Sequence, residues 1–324
     1  MRRRQFIALI GAASTWPFIS GATENALPVI GFVHPSSAVR TGDVMEAFNR
    51  GLGESGYVVG KDVTIEYHWA NDDYALLPGI FRGLADRKIA VMFVGTPVAA
   101  KAAKRAGLAM PIVFCIGSDP VKDGIVMSLS QPGDNITGTT FFGDLLGAKR
   151  LELLRQLSGS RIFAVLVNPA NLNAKLEIED VTHAALSLNL QLVVADATNE
   201  VEIANAFVHF HEKRAGSVLV ASDAFLNLHA KQIANLAIQY GLTTCFSYRE
   251  PVEAGGLMSY GASRPDAYRR AASYVARILR GERASDLPVQ QPSKYEFVLN
   301  LKTAKALGLK VPASTQLLAD EVIE

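Results

Sequence analysis

The stretch "VGTPVAAKAAKRAGLAMPIVF", residues 94–114, carries the pattern that decides the fold. An apolar strand ends in the polar Thr96, and the helix-compatible Pro97 opens an alanine-rich segment that stops at Gly107 before a second apolar strand. Strand, helix and strand in this order are typical of a parallel sheet covered by helices. Strands of this kind are predicted at 28–34, 63–69, 89–95 and 111–117.

The same plan recurs in the second half of the chain. The stretch "ASDAFLNLHAKQIANLAIQYGLTTCF", residues 221–246, repeats the order of strand, polar strand end, helix and strand, and His34-Pro35 has a counterpart in Asn168-Pro169. Two unrelated strand-helix units of ordinary composition are the alternative explanation. We predict an α/β protein with two Rossmann-like lobes, each built on a parallel sheet, with strands of the second lobe at 161–171, 190–196, 216–223 and 242–248.

Three polar segments are expected to connect the lobes, at 128–144, 249–263 and 285–297. They predict a first lobe of residues 28–139 plus about 257–285, and a second lobe of residues 140–256 plus about 286–324. Three parallel connections form a hinge on which two lobes can open and close as rigid bodies.

Composition and the N-terminal segment limit the partners and the compartment. The 32 Lys and Arg residues nearly balance the 31 Asp and Glu residues, so no basic excess indicates a nucleic-acid partner. Residues 1–22 combine three arginines with an apolar run, which predicts a signal peptide of twin-arginine type, cleaved near Ala22 or Ala26. The alternative is an uncleaved anchor, although the run is shorter than the roughly 20 residues that span a bilayer. We expect export to the periplasm.

Several motifs that would indicate catalysis or a cofactor are absent or misplaced. The stretch "GLGESG" at 51–56 matches GxGxxG, but it follows a helical run instead of a strand. His209 and His211 are two residues apart on a predicted helix, so their rings point to different faces. The sequence contains no HExxH, CxxC, Walker-type or GxSxG pattern. We therefore predict no metal, no cofactor and no catalytic residue.

Polar side chains follow the predicted strands of both halves and would face each other across a cleft. Such residues commonly cap the next helix, a role that is compatible with ligand binding because helix N-termini also attract anions. Tyrosine rings near these positions would stack on an apolar ligand body. The candidate ligand-binding residues are His34, Ser36, Thr96, Ser118, Asn168, Asn171, Asp223, Tyr248 and Tyr260.

Four blocks of the chain resemble a known family. The blocks are "GFVHPSS" at 31–37, "EYHWANDDYALLPGIFRGLADRKIAVMFVGTPVAAKAAKRA" at 66–106, "PIVFCIGSDPVKDGIVMSLSQPGDNITG" at 111–138 and "LPVQQPSKYEFVLNLKTAKALGL" at 287–309. They are similar to the ABC-transporter substrate-binding family that includes tryptophan- and tyrosine-binding uptake proteins, and the similarity runs over nearly all of residues 28–322. Some members carry a lipid-anchored cysteine after the signal, and this chain has none there.

The resemblance implies a type I periplasmic-binding fold with a three-segment hinge and a ligand between the lobes. It further implies delivery of that ligand to a membrane permease with an ATPase, by a receptor that works as a monomer. Thr96 and Ser118 would hold a ligand carboxylate, and Asp223 would hold an ammonium group. The expected ligand is a small amino acid or carboxylate, with aromatic amino acids among the candidates. A periplasmic enzyme or a sensor module acting on a small acid in the same cleft is the alternative.

Overall fold

The computed structural model describes residues 27–71, 73–142, 146–171, 173–292 and 295–324. The first lobe is built on five parallel strands in the order β2-β1-β3-β4-β5. Its central strands are apolar along their whole length because helices cover both faces of the sheet. In chain order the elements are β1 Val29–His34, α1 Gly42–Glu54, β2 Thr64–Trp69, α2 Leu77–Ala85, β3 Ile89–Val94, α3 Pro97–Arg105, β4 Ile112–Ile116 and β5 Ile136–Thr140.

The second lobe contains seven strands in the order β12-β11-β10-β9-β8-β6-β7. All neighbours are parallel except β10 and β11, which run antiparallel. The elements are α4 Gly147–Ser158, β6 Ile162–Val167, α5 Ala174–Ser187, β7 Gln191–Asp196, α6 Glu200–Glu212, β8 Ser217–Val220, α7 Ala224–Leu228, α8 Ala230–Tyr240, β9 Thr243–Phe246, α9 Glu250–Glu253, β10 Met258–Ala262, α10 Arg264–Leu279 (which packs on the first lobe), β11 Tyr295–Asn300, α11 Leu301–Ala306, α12 Ala313–Leu318 and β12 Glu321–Ile323.

The two sheets have the same internal plan. Strands β7-β6-β8-β9-β10 of the second sheet stand in the order of β2-β1-β3-β4-β5 in the first. One apolar core fills the second lobe, while the first lobe has a separate core on each face of its sheet. The predicted α/β class with two Rossmann-like lobes is confirmed.

The chain leaves one sheet for the other three times, and the boundaries differ from those expected. Residues 258–262, assigned to the first lobe, form β10 and pair with the second sheet. Residues 287–290, assigned to the second lobe, bond to β5 instead, since Thr140 N donates to Gln290 O at 2.8 Å and Thr137 Oγ1 donates to Leu287 O at 2.6 Å. The chain therefore crosses after β5, between β10 and α10, and between Gln290 and β11.

Strand β5 lies inside a segment that the sequence indicated as a connection. Its sequence "ITGTT" is rich in Thr and Gly, yet all five residues are buried at the edge of the first sheet. The buried hydroxyls are satisfied, for Thr139 Oγ1 donates to Ala267 O at 3.2 Å and Thr140 Oγ1 to Ser118 O at 2.8 Å. A buried threonine with a backbone partner is tolerated in a core, so composition alone misidentified this strand.

The predicted signal peptide, residues 1–22, lies outside the described residues. Within the ranges given above, no helix is both long enough and apolar enough to cross a lipid bilayer.

Candidate functional site

Side chains of the two lobes meet where the parallel strands end. The ring of Phe141, which follows β5, stands edge-on to the ring of Tyr248, which lies two residues beyond β9, with centroids 6.1 Å apart. Arg264, the first residue of α10, lies with its guanidinium carbon 5.3 Å from the centroid of the Tyr248 ring. The carboxyl ends of parallel strands are where ligands bind in open α/β sheets. The cleft between the lobes is therefore the candidate site.

His34 ends β1 and lies buried on the first-lobe side of the cleft. Its Nδ1 accepts a hydrogen bond from the backbone N–H of Ser36 at 3.0 Å, so the proton of the neutral ring lies on Nε2. Burial, together with the positive charge of Arg264, lowers the pKa of His34 to about 3. The ring is therefore an uncharged hydrogen-bond donor at physiological pH.

Gly95 makes room for that ring. A Cβ atom at this position would lie 2.3 Å from His34 Cδ2 and 2.6 Å from the hydroxyl oxygen of Tyr268. The Tyr268 hydroxyl donates to the carbonyl of Gly95 at 2.8 Å, which ties α10 to the end of β3. No residue other than glycine fits without moving one of these groups.

Thr96 and Ser118 make different local contacts. Thr96 caps α3, since its Oγ1 accepts from the backbone N–H of Ala99 at 3.3 Å, and its hydroxyl proton remains available to a ligand. The Ser118 hydroxyl is buried and donates to Asp123, whose second oxygen pairs with Lys101 at 2.6 Å. Ser118 thus has a proton already committed, which leaves its oxygen as an acceptor.

Three candidates of the second lobe form one hydrogen-bonded cluster. Asp223 caps α7, and its Oδ1 accepts from Leu226 N at 3.0 Å and from Asn168 Nδ2 at 3.1 Å. Asn171 Nδ2 donates to the carbonyl of Ser222 at 2.8 Å. Among the described residues no hydrogen bond reaches Oδ2 of Asp223. This carboxylate oxygen can receive a donor from a ligand.

Arg264 links the two lobes beside a cavity of about 190 Å³. Its guanidinium lies 3.4 Å from a carboxylate oxygen of Glu250 in the second lobe and 3.5 Å from one of Asp43 in the first. Burial disfavours the charge on Arg264, but these two carboxylates outweigh it and hold its pKa above the ordinary value. Tyr248 and the buried Ser259 also line this cavity.

Tyr260 does not join the other candidates. It alternates on β10 with Ser259 and Gly261, which line the cavity, so its side chain points to the opposite face of the sheet. There its ring stacks at 6.0 Å on the ring of Tyr295 and packs against the core of the second lobe. Which face of a strand Tyr260 occupies was not considered at the level of sequence, because the segment 249–263 was interpreted as a connection.

Sequence reasoning missed several residues of the cleft. Phe141 directly follows β5 and Arg264 lies two residues after β10; neither strand was predicted, so no strand-end signal marked these residues. Arg150 and Glu177 lie inside helices and are buried, which their charge does not suggest.

Among the residues that the structure describes, no group of three or more His, Cys, Asp or Glu side chains is arranged to bind a metal ion. Of the nine predicted ligand-binding residues, Tyr248 lines the cavity beside Arg264, while His34, Thr96 and Asp223 are not among its lining residues.

Comparison with known protein families gives one model that spans the chain. The model described as ABC transporter substrate binding protein matches residues 29–323. A curated tyrosine-binding protein of Clostridioides difficile (strain R20291) is 25% identical over 267 residues, which cover 82% of this chain and 76% of that protein.

Solved structures share the fold. The crystal structure of a conserved domain protein from Vibrio cholerae has a TM-score of 0.83 at 24% identity, and it covers 92% of this chain and 100% of its own. An ABC domain from Streptococcus pneumoniae, solved in complex with L-Trp, has a TM-score of 0.82 at 22% identity over the same shares of the two chains. Both similarities extend over the two lobes.

Proposed function

From the premise that this chain belongs to the ABC transporter substrate-binding proteins and has their type I periplasmic-binding fold, we propose that it captures a small amino acid between its lobes. The proposal is supported by the complementary chemistry of the strand-end residues in the two lobes. The first lobe presents neutral donors at His34 and Thr96, and the second presents the carboxylate of Asp223. A zwitterion needs such a pair of opposite partners.

The first lobe would bind the carboxylate. Thr96 donates its hydroxyl proton at the N-terminus of α3, where the helix dipole also favours a negative group. His34 adds its Nε2 proton without adding a charge. Ser118 was expected to hold the carboxylate as well, but its only hydroxyl proton is donated to Asp123, so we assign it support of the neighbouring loop instead of a direct bond to the ligand. Donors in a cleft that excludes water bind an anion more strongly than donors in solution.

The second lobe would bind the ammonium group and the side chain of the ligand. Asp223 Oδ2 is the proposed partner of the ammonium, and Asn168 holds the other oxygen in place. Tyr248 and Phe141 supply aromatic surface at the centre of the cleft. Since relatives are named for tyrosine and for bound L-Trp, aromatic amino acids are the first ligands to test.

Binding in the cleft would close the lobes on their three connections and present the loaded protein to a membrane permease with its ATPase. We propose that this takes place in the periplasm, that the receptor is monomeric, and that it is not an enzyme. Closure requires only that the ligand binds the closed form more tightly than the open form. Arg264, which contacts carboxylates of both lobes, is placed to respond to that motion.

Native mass spectrometry of the freshly purified mature protein tests the proposal, followed by denaturing release and identification of any retained molecule. A stoichiometric amino acid would support it. A retained carboxylic acid without an amine would support the receptor function and contradict the assignment of Asp223 as the partner of an ammonium group. Conversion of the released compound during long incubation with the protein would support the enzyme alternative instead.

A further inference from the structure

A closed ring of hydrogen bonds lies beneath the second-lobe side of the cleft. Arg150 of α4 donates to the hydroxyl of Ser247 and to the carboxylate of Glu177 on α5. The second oxygen of Glu177 accepts from the backbone N–H of Ser222 at 2.9 Å. The ring closes through Tyr248, which follows Ser247 in the chain and whose hydroxyl lies 2.7 Å from Ser222 Oγ. The five residues join two helices to the ends of β8 and β9.

The charged members of this ring are fully removed from solvent. Arg150 is 0% exposed and Glu177 is 1% exposed. Arg150 Nε is buried and has no hydrogen-bond partner among the described residues, so the desolvation of the guanidinium is not completely compensated. A buried ion pair usually contributes no more stability than apolar side chains of similar volume. Folding stability therefore gives no reason for charges at these two positions.

The geometry gives a reason. The planar guanidinium of Arg150 has donors fixed in a fork, so one side chain can hold a hydroxyl on β9 and a carboxylate on α5 at set angles. Glu177 passes this constraint to the backbone of Ser222 at the end of β8. Both strand ends are then fixed relative to each other, and the Tyr248 ring between them has one orientation.

We propose that Arg150 and Glu177 are positioning residues of the ligand site. They act through Ser222 and Ser247, and they hold the Tyr248 ring ready for a ligand before it arrives. The inference rests on the proposed function, since it assigns these residues to the same cleft. The proposal predicts that loss of the ion pair lowers the affinity for the ligand but does not lower the Tm of the protein.

The test is the double variant Arg150→Met/Glu177→Leu of the mature protein, titrated calorimetrically with L-tyrosine and L-tryptophan. Removing both charges together leaves no unpaired ion, so we expect a Tm equal to or above that of the wild type. We expect binding to weaken about tenfold, because Tyr248 must then be ordered by the ligand. The control is Lys149→Gln/Glu152→Gln, which removes an exposed ion pair on the same helix and should leave affinity unchanged.

A second variant keeps the proposal testable if the double variant does not fold. Ser222→Ala opens the ring at its bond to Tyr248 and disturbs no buried charge. We expect several-fold weaker binding at an unchanged Tm. Where the double variant does fold, adding Ser222→Ala to it should weaken binding by less than Ser222→Ala alone weakens the wild type. Unchanged affinity in a folded variant, with wild type binding normally, would overturn the positioning role alone. Wild type that binds no amino acid would overturn both the proposed function and this inference.

Discussion

Replacing Asp223 with asparagine tests the ammonium partner with the smallest change in shape. The asparagine oxygen can still accept from Leu226 N and Asn168 Nδ2, and asparagine caps helices about as well as aspartate. The substitution removes the charge and turns the Oδ2 acceptor into an amide donor. A hydrogen bond to a charged group contributes about 1.5–3 kcal/mol. Since about 1.4 kcal/mol is tenfold in affinity, we expect amino-acid binding to weaken roughly 10- to 150-fold.

Calorimetric titration with an amino acid and with its deaminated analogue separates this effect from general damage. The wild type should prefer the amino acid, and Asp223→Asn should lose that preference while it binds the deaminated acid as before. The matched control is Asn199→Ala, which removes the side-chain cap of α6. It should cost about 1 kcal/mol of stability and leave affinity unchanged. Equal affinity of Asp223→Asn and wild type for the amino acid would refute the assignment.

Three further predictions follow from the first lobe and the hinge. The pKa of His34 is 6.5 in the unfolded chain and about 3 in the folded chain. Between these pH values the unfolded chain binds a proton at His34 that the folded chain does not bind. The free energy of unfolding should therefore drop by about 1.6 kcal/mol between pH 6.5 and pH 5 through this group. His34→Gln should lack this drop when the free energy of unfolding is measured by urea titration at each pH, and the same pH dependence in both proteins would contradict it. Gly95→Ala should destabilise by about 1–3 kcal/mol and abolish binding, because its Cβ would overlap the His34 ring. In contrast, Gly83→Ala in α2, where a Cβ meets nothing within 4 Å, should raise thermal stability by about 0.5–1 kcal/mol. Glu250→Gln removes the ion pair that joins Glu250 of the second lobe to Arg264 on the first. A partly exposed pair of this kind stabilises the contact between the lobes by about 0.2–1 kcal/mol, so the variant without ligand should have a larger radius of gyration than the wild type. Small-angle scattering that is identical for both proteins, with and without ligand, would count against the hinge.

The sequence predicted the strand-end positions of three candidates from one local rule. His34 ends the apolar strand β1, Thr96 follows β3, and Asp223 follows β8, so each lies at the carboxyl end of a strand as predicted. Tyr260 was selected by a different argument, as an aromatic ring near the cleft, and its side chain lies on the opposite face of the sheet. It lies within the short strand β10, whose Gly and Ser residues led to its interpretation as a connection, so the alternation of side chains along the strand was not considered.

The sequence by itself determined the two lobes. Apolar runs of strand length, spaced by helical segments and repeated in the second half, bury enough surface in only one way, as parallel sheets covered by helices. The tertiary structure alone decided the partners of Arg150 and Arg264. Glu177 lies 27 residues from Arg150 along the chain and Ser247 lies 97 residues away, while 221 residues separate Asp43 from Arg264. No local pattern records such pairs, because a charged side chain in a helix is compatible with solvent until the packing of distant elements encloses it.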